Sequence, residues 1–308
     1  MEQLDRAILS TIGYFDQLDY PLTAMEIHKW LFSDIKCSFE NVVARLYLLG
    51  SKISCQDGLY FLLGREKILA TRHDNYLSSI FKNKIVQKWF GYLARVPYVK
   101  MIAVCNNFSF NNLKESSDID LFIVASSGRL YLVRFLLTAI TSVLGLRRHD
   151  WKIANRFCLS FYLDDQNLNL ENIQICHEDI YLKYWINTVL PVYDEGIFQD
   201  FCAENSWLDD SLSNRYSYNP GLRRRIEIRK MYGKKALEKF LSGKMGDWIE
   251  AIFKRIQLAK MSHNKMSLSK ENDSRVIISD HMLKFHEGDR RLEYLEKFKE
   301  FITKNVQA

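Results

Sequence analysis

The sequence is poor in the residues that interrupt regular structure, since its 308 residues include 13 glycines and 4 prolines. This composition excludes collagen-like and low-complexity proteins, and the 47% hydrophobic residues supply enough apolar side chains for folded cores. An uncharged apolar run of about 18 residues, which a membrane helix requires, is absent. The nearest run, residues 130–146, contains Arg134 and is typical of an amphipathic core helix. We therefore expect no membrane partner.

The six cysteines lack pattern as well, because no two of them have the C-x-x-C spacing of a zinc site or a redox motif. Cys105 and Cys158 lie inside apolar runs, which predicts buried free thiols in a reducing compartment. The amino terminus, MEQLDRAILS, has early acids and no secretory pattern, so a cytoplasmic location is expected. The net charge of +6 indicates only that acidic partners would not be repelled.

The most informative segment is VKMIAVCNNFSFNNLKESSDIDLFIVA, residues 99–125, in which two apolar strands flank a polar loop. Asp118 and Asp120 open the second strand, and residues two apart in a strand point to the same face. Two carboxylates held close together repel each other, and Mg²⁺ relieves that repulsion while binding substrate phosphates. A bare D-x-D is usually an acidic strand start, but here Ser116 and Ser117 precede it and a buried strand follows. This context predicts a metal site.

With these residues the segment resembles the nucleotidyltransferase superfamily that includes DNA polymerase beta and kanamycin nucleotidyltransferase. The family pattern is a strand, a Gly-Ser pair, a short helical loop and then S-D-x-D, which is Ser117 to Asp120 here. The Gly-Ser pair would fall at Asn106 and Asn107. Asn107 can donate a hydrogen bond, and Asn106 tolerates a positive φ better than most residues do.

The resemblance implies transfer of a nucleoside monophosphate from an NTP to an acceptor hydroxyl, with pyrophosphate leaving. It implies that Asp118 and Asp120 are catalytic and bind one or two Mg²⁺ ions. It also implies that Asn106, Asn107 and Ser117 contact or orient the nucleotide. The acceptor is not defined by these residues, since an RNA end, a protein hydroxyl, a sugar and an antibiotic-like alcohol all stay open.

A third family carboxylate normally lies on the strand after the next helix. The apolar spacing over 128–146 predicts that helix, and RFCLSFYL, residues 156–163, predicts the strand. The strand contains no acid: Ser160 occupies its middle, while Asp164 and Asp165 follow it in DDQN, which favours a turn. Two interpretations therefore stay open. One is an active Mg²⁺-dependent nucleotidyltransferase, and the other is a degenerate one that acts as a nucleotide-sensing, scaffolding or DNA-binding regulatory module.

Residues 1–64 predict a winged helix-turn-helix of three helices and a hairpin, an order that also resembles the amino-terminal module of some bacterial nucleotidyltransferase-domain proteins. Thr23 and Glu26 form a capping-box pattern at the second helix, and Asp57-Gly58 predicts the hairpin turn. The third helix, SFENVVARLYLLGS, has Arg45 as its only cation. DNA readers bring several cations to phosphates, so a protein partner is at least as well supported as DNA.

The remaining chain predicts a linker helix over 65–97, a nucleotidyltransferase core over 98–192 and a helical region over 193–308. The fold class is therefore α+β: a winged helix-turn-helix, a small mixed-sheet nucleotidyltransferase fold and a carboxy-terminal helical region. A basic stretch, 223–235, is either a solvated helix face or a phosphate contact, and 262–274 predicts a mobile loop.

The end of the chain predicts a short strand over 275–278 and a helix over 281–302, HMLKFHEGDRRLEYLEKFKEFI, capped by Ser279 or Asp280. On such a helix His286 and Asp289 would be neighbours on one face. Metal binding by these two residues is only weakly specified, and a surface helix is the better supported interpretation.

Overall fold

The computed structural model describes residues 2–215, 232–263, 275–286 and 288–306, which form a mixed α+β structure. The first elements are α1 (Gln3–Asp16), β1 (Leu22–Thr23), α2 (Ala24–Lys29), α3 (Phe39–Leu48), β2 (Ile53–Gln56) and β3 (Leu59–Leu62). Next come α4 (Ile68–Leu93), β4 (Val99–Val104), β5 (Ile119–Ala125), α5 (Leu130–Val143), β6 (Phe157–Asp164), α6 (Ile180–Thr188) and β7 (Leu190–Asp194). The last are α7 (Ile197–Glu204), α8 (Tyr232–Phe240), α9 (Lys244–His263), β8 (Val276–Ile278), β9 (Met282–Phe285) and α10 (Arg291–Asn305).

The amino-terminal elements carry the local signals that the sequence predicted. Thr23 caps α2, and the carboxylate of Glu26 accepts a hydrogen bond from the Thr23 amide at 2.8 Å, which completes the capping box. Asp57 and Gly58 have φ of +54° and +74° and join β2 to β3 as the predicted hairpin. β3 lies between β1 and β2 in a three-stranded sheet.

The core of this amino-terminal part is shared with later elements. The ring of Tyr184 on α6 stacks on Tyr14 with a centroid distance of 4.3 Å, and its hydroxyl donates to the carbonyl of Trp30 at 2.8 Å. Phe298 on α10 is buried in the same cluster. Residues 1–64 therefore bury their apolar side chains partly against the carboxy-terminal half of the chain.

The main sheet has six strands in the order β7-β4-β5-β6-β9-β8. β5 is antiparallel to β4 and parallel to β6, with α5 as the connection between the two parallel strands. Ile123 and Tyr162 face a core that includes Leu137 of α5, whereas Phe122 and Phe161 face a second core that includes α6 and α7. Burial on both faces explains why LFIVA is a continuous apolar run.

Two predictions for the carboxy-terminal region are wrong. Residues 282–285 form strand β9, which pairs with β6 (Tyr162 opposite Leu283), and the helix begins only at Arg291. His286 and Asp289 are therefore not neighbours on a helix. The predicted strand over 275–278 is confirmed as β8, whereas the rest of this region, predicted to be helical, also contributes β9 to the sheet. The pairing of β9 with β6 and β8, with Leu283 fully buried, decides its conformation.

Two single residues explain local features of the fold. Pro191 lies in the edge strand β7, where a missing backbone donor is tolerated. Gly243 separates α8 from α9, since its φ of +71° is incompatible with a continuous helix.

Several predicted features lie outside the described residues, namely Arg223, Arg224, Arg225, Arg229 and Lys230 of the basic stretch and the loop from 264 to 274. Lys234, from the same stretch, is buried and forms an ion pair with Glu195 at 2.6 Å. This lysine is therefore not exposed for contact with phosphates. Within the part of the chain that is described, no helix has the length and apolar character needed to cross a membrane.

Candidate functional site

The candidate site lies where β5 begins. Asp118 and Asp120 project from the same side of the strand, and the intervening Ile119 is buried in the core on the other side. One ligand atom from each of Asp118, Asp120 and Cys158 lies within 4.8 Å of the others. The predicted pairing of the two carboxylates is therefore confirmed, and a thiol joins them.

Cys158 was not recognised from the sequence because of an irregularity in β6. Asp120 pairs with Cys158, but Phe122 pairs with Phe161, so β6 advances three residues while β5 advances two. This bulge reverses the alternation within β6 and places Cys158 on the face that the carboxylates occupy. Counting back from Phe161 by twos would have selected Leu159 instead.

The acids considered from the sequence as a third carboxylate lie at the opposite end of β6. Asp165 accepts a hydrogen bond from the amide of Ser127 at 2.8 Å, and Asp164 is fully buried and accepts from the side chain of Asn167 at 2.7 Å. The turn interpretation of DDQN is confirmed. Ser160, in the middle of the strand, has its hydroxyl 3.4 Å from Nε2 of His286.

Asp120 has an unusual electrostatic environment. Burial, followed by the neighbouring charge of Asp118, raises the pKa of Asp120 to about 6. The side-chain amide of Asn106 donates to this carboxylate at 2.7 Å and partly opposes the shift. Tyr181 donates from its hydroxyl to the amide oxygen of Asn106 at 3.1 Å, which fixes the orientation of that amide. Asn106 has a φ of +55°, a conformation that asparagine tolerates better than most residues.

Asp118 forms an ion pair with a residue that the sequence did not reveal. One guanidinium nitrogen of Arg148 lies 2.8 Å from Asp118 and 3.8 Å from the sulfur of Cys158. The chain between α5 and β6 places this arginine, since the Arg148 amide donates to the carbonyl of Phe157 at 3.0 Å. Arg148 is 47% exposed and Asp118 is 15% exposed, so a solvent-facing arginine covers a largely buried acid.

Cys158 has weak ligand character for a hard cation. Burial, followed by the charge of Asp120, raises the pKa of the Cys158 thiol to about 12. The thiol is therefore protonated at neutral pH, whereas Mg²⁺ prefers oxygen ligands. The oxygen donors of this three-residue cluster come from Asp118 and Asp120 alone.

The loop that precedes Asp118 is held by a buried lysine. The ammonium of Lys82 on α4 donates to the carbonyls of Glu115 and Ser117, both at 2.9 Å, and to the side-chain oxygen of Asn155 at 2.8 Å. Ser117 thus helps to orient the loop through its main chain. The sequence predicted a linker helix over 65–97 but not the burial of Lys82 within it.

Asn107 lies in a different environment from Asn106. It lines a small cavity with Tyr14, Phe110 and Tyr184, and its carbonyl accepts a hydrogen bond from the amide of Asn112 at 2.7 Å. Asp120, in contrast, lines a cavity of about 530 Å³ on the side of β6. The described contacts therefore bring Asn106, but not Asn107, to the carboxylates.

Comparison with known proteins gives no match, whether to family models, to curated proteins or to solved structures.

Proposed function

We propose that the chain is a Mg²⁺-dependent nucleotidyltransferase that moves a nucleoside monophosphate from an NTP to an acceptor hydroxyl. The observation that supports this proposal is the convergence of Asp118 and Asp120 at the start of a buried strand that is parallel to its neighbour β6. The S-D-x-D motif and the strand that follows it agree with the nucleotidyltransferase pattern. Asn106, at which the family glycine would fall by sequence count, donates from its side-chain amide to Asp120.

The donor set fits one hard cation. Asp118 and Asp120 offer carboxylate oxygens of the kind that Mg²⁺ takes together with substrate phosphates. When bound, Mg²⁺ would neutralise charge on the triphosphate and on the leaving pyrophosphate. Cys158 does not supply the oxygen that a second ion would need, and Asp118 would have to exchange its contact with Arg148 for one with the ion.

The transfer requires the acceptor oxygen to form a bond with the α-phosphorus while the bond from that phosphorus to the bridging oxygen breaks. Pyrophosphate leaves with the bonding electrons, and the acceptor hydroxyl loses its proton. Because Asp118 and Asp120 would hold the cation, this proton passes to water. The Cys158 thiol is already protonated at neutral pH and cannot take it.

For the amino-terminal module we propose a winged-helix role in binding a protein partner. Arg45, the one cation of the α3 sequence, forms ion pairs with Asp5 and Glu2 of the same module. Tyr47 and Leu48 on the same helix are 80% and 69% exposed. An apolar exposed face with its arginine engaged suits a protein surface better than a phosphate backbone.

A second function is favoured by the pair Cys158 and Arg148. The third member of the cluster is a thiol and not a carboxylate, and Arg148 already neutralises Asp118. We expect this arrangement in a transferase fold that binds nucleotide without turning it over. In this alternative the chain is a nucleotide-sensing or scaffolding module with the amino-terminal part as its output.

Release of pyrophosphate separates the two functions. Each of the four NTPs is incubated with Mg²⁺ or Mn²⁺ and with RNA, a polyol or water as acceptor, for wild type and for Asp118→Asn/Asp120→Asn. The transferase predicts metal-dependent release that the double variant loses while it keeps its fold. Nucleotide binding without release under every condition would instead support the sensing module.

A further inference from the structure

A half-buried arginine on α5 has no counter-charge among the described residues. Arg134 donates to the side chain of Gln257 and lies 4.8 Å from the ring of Phe285, while its Nε is buried without a hydrogen-bond partner. In the described part of the chain no carboxylate forms an ion pair with Arg134. Its buried and unpartnered Nε, together with the missing counter-charge, makes Arg134 a candidate contact for an anion that comes from outside the chain.

Arg134 lines the same cavity of about 530 Å³ that Asp120 and Cys158 line. Arg147, half-buried on the chain between α5 and β6, also lines this cavity and has no ion pair among the described residues. His286 adds a nitrogen, Nδ1, that is buried without a hydrogen-bond partner. Three nitrogen-bearing side chains with unused hydrogen-bonding capacity therefore surround one space beside the carboxylates.

From this arrangement we infer that the cavity is an oligophosphate site, in which Arg134, Arg147 and His286 bind the di- or triphosphate portion of a ligand. Planar guanidinium groups match phosphate oxygens in pairs, and the cavity is large enough for more than one phosphate. Asp120 and the exposed Asp150 also line the cavity, so the phosphates are expected on the arginine side and a cation on the Asp120 side.

The inference rests on the proposed function only for the identity of the ligand as a nucleotide. It also accounts for the missing Gly-Ser pair, because the phosphate contacts would come from α5 and the chain after it. Arg148 is shared with Asp118 and is therefore a lesser contributor.

The test is calorimetric titration of inorganic tripolyphosphate, ATP and AMP in EDTA, so that no divalent cation takes part. We expect wild type to bind tripolyphosphate and ATP, with AMP much weaker. Arg147→Gln should weaken binding roughly tenfold, since it removes a charge-assisted contact. Lys152→Gln is the matched control, because Lys152 is exposed on the same loop and does not line the cavity. It should change the affinity less than about twofold.

Arg134→Gln should weaken binding at least as much as Arg147→Gln, and its circular dichroism spectrum reports whether the fold is kept. Equal effects of Arg147→Gln and Lys152→Gln would overturn the inference, as would failure of wild type to bind tripolyphosphate. ATP binding without tripolyphosphate binding would assign recognition to the nucleoside and would also overturn it.

The outcomes separate this inference from the proposed function. Tripolyphosphate binding that depends on Arg147 and is kept by Asp118→Asn/Asp120→Asn supports the site even if no pyrophosphate is ever released. Metal-dependent transfer that is unaffected by Arg147→Gln and Arg134→Gln would keep the proposed function and reject the site.

Discussion

Replacing Asp120 by asparagine should stabilise the metal-free protein at neutral pH. The pKa of Asp120 rises from an ordinary 3.8 to about 6, a rise of about two pH units, because the carboxyl is buried beside Asp118. At about 1.36 kcal/mol per unit, the charged form costs the native state up to about 3 kcal/mol. Asparagine keeps an oxygen that can accept from Asn106 and carries no charge.

The sign of the pH dependence follows from which state holds the proton. Between about pH 4 and pH 6 the native state keeps the Asp120 proton that the unfolded chain has lost, so the free energy of unfolding of wild type falls as the pH rises. Above about pH 6 Asp120 is ionised in the native state as well, so its ionisation lowers the free energy of unfolding no further. The advantage of Asp120→Asn over wild type should therefore grow across this window and then stay constant.

Urea denaturation at a series of pH values from 4 to 8 measures this difference. Asp150→Asn removes an exposed carboxylate from the same cavity wall and should change stability by less than about 0.5 kcal/mol. Added Mg²⁺ should raise the stability of wild type but not of Asp120→Asn, because binding to the native state stabilises it. An Asp120→Asn protein that is less stable than wild type at pH 8, or whose difference does not change with pH, would refute this reasoning.

Three further predictions concern the groups around the carboxylates. Lys82→Met removes a buried donor that three acceptors share and should lower the free energy of unfolding by roughly 1–3 kcal/mol. Exposed Lys84→Met should lower it by less than about 0.5 kcal/mol. Equal losses in urea denaturation would contradict the role of Lys82. Arg148→Gln frees Asp118 and should tighten Mn²⁺ binding several-fold, as measured by electron paramagnetic resonance, whereas the control Lys152→Gln should not. No difference between these two variants would show that the ion pair does not compete with the metal. Cys158→Asp adds an oxygen donor and should also tighten Mn²⁺ binding, and weaker binding would place Cys158 outside the coordination sphere.

The sequence predicted those parts of the fold that depend on local patterns. The Thr23 capping box, the Asp57-Gly58 hairpin and the paired carboxylates each follow from residues a few positions apart, and the structure has all of them. Strand β9 was missed because the short segment that forms it directly precedes the amphipathic helix α10, and the two were predicted as one helix. Its pairing with β6, a long-range contact, decides its conformation.

The rest of the site depends on contacts that no local pattern encodes. Cys158 reaches Asp120 only because of the bulge in β6, and Arg148 reaches Asp118 across the chain between α5 and β6. Lys82 lies in the segment predicted as a linker helix, yet its ammonium is enclosed by the loop that it holds. Asn106 adopts a positive φ, which asparagine tolerates better than most residues.

The most direct test of the central claim is calorimetric titration of ATP, GTP, CTP and UTP, with and without Mg²⁺, into wild type and Asp118→Asn/Asp120→Asn. We predict that at least one NTP binds wild type more tightly when Mg²⁺ is present, and that the double variant loses this metal-dependent gain. Equal binding with and without Mg²⁺, or no binding of any NTP to the folded protein, would contradict a cation–nucleotide site at the start of β5.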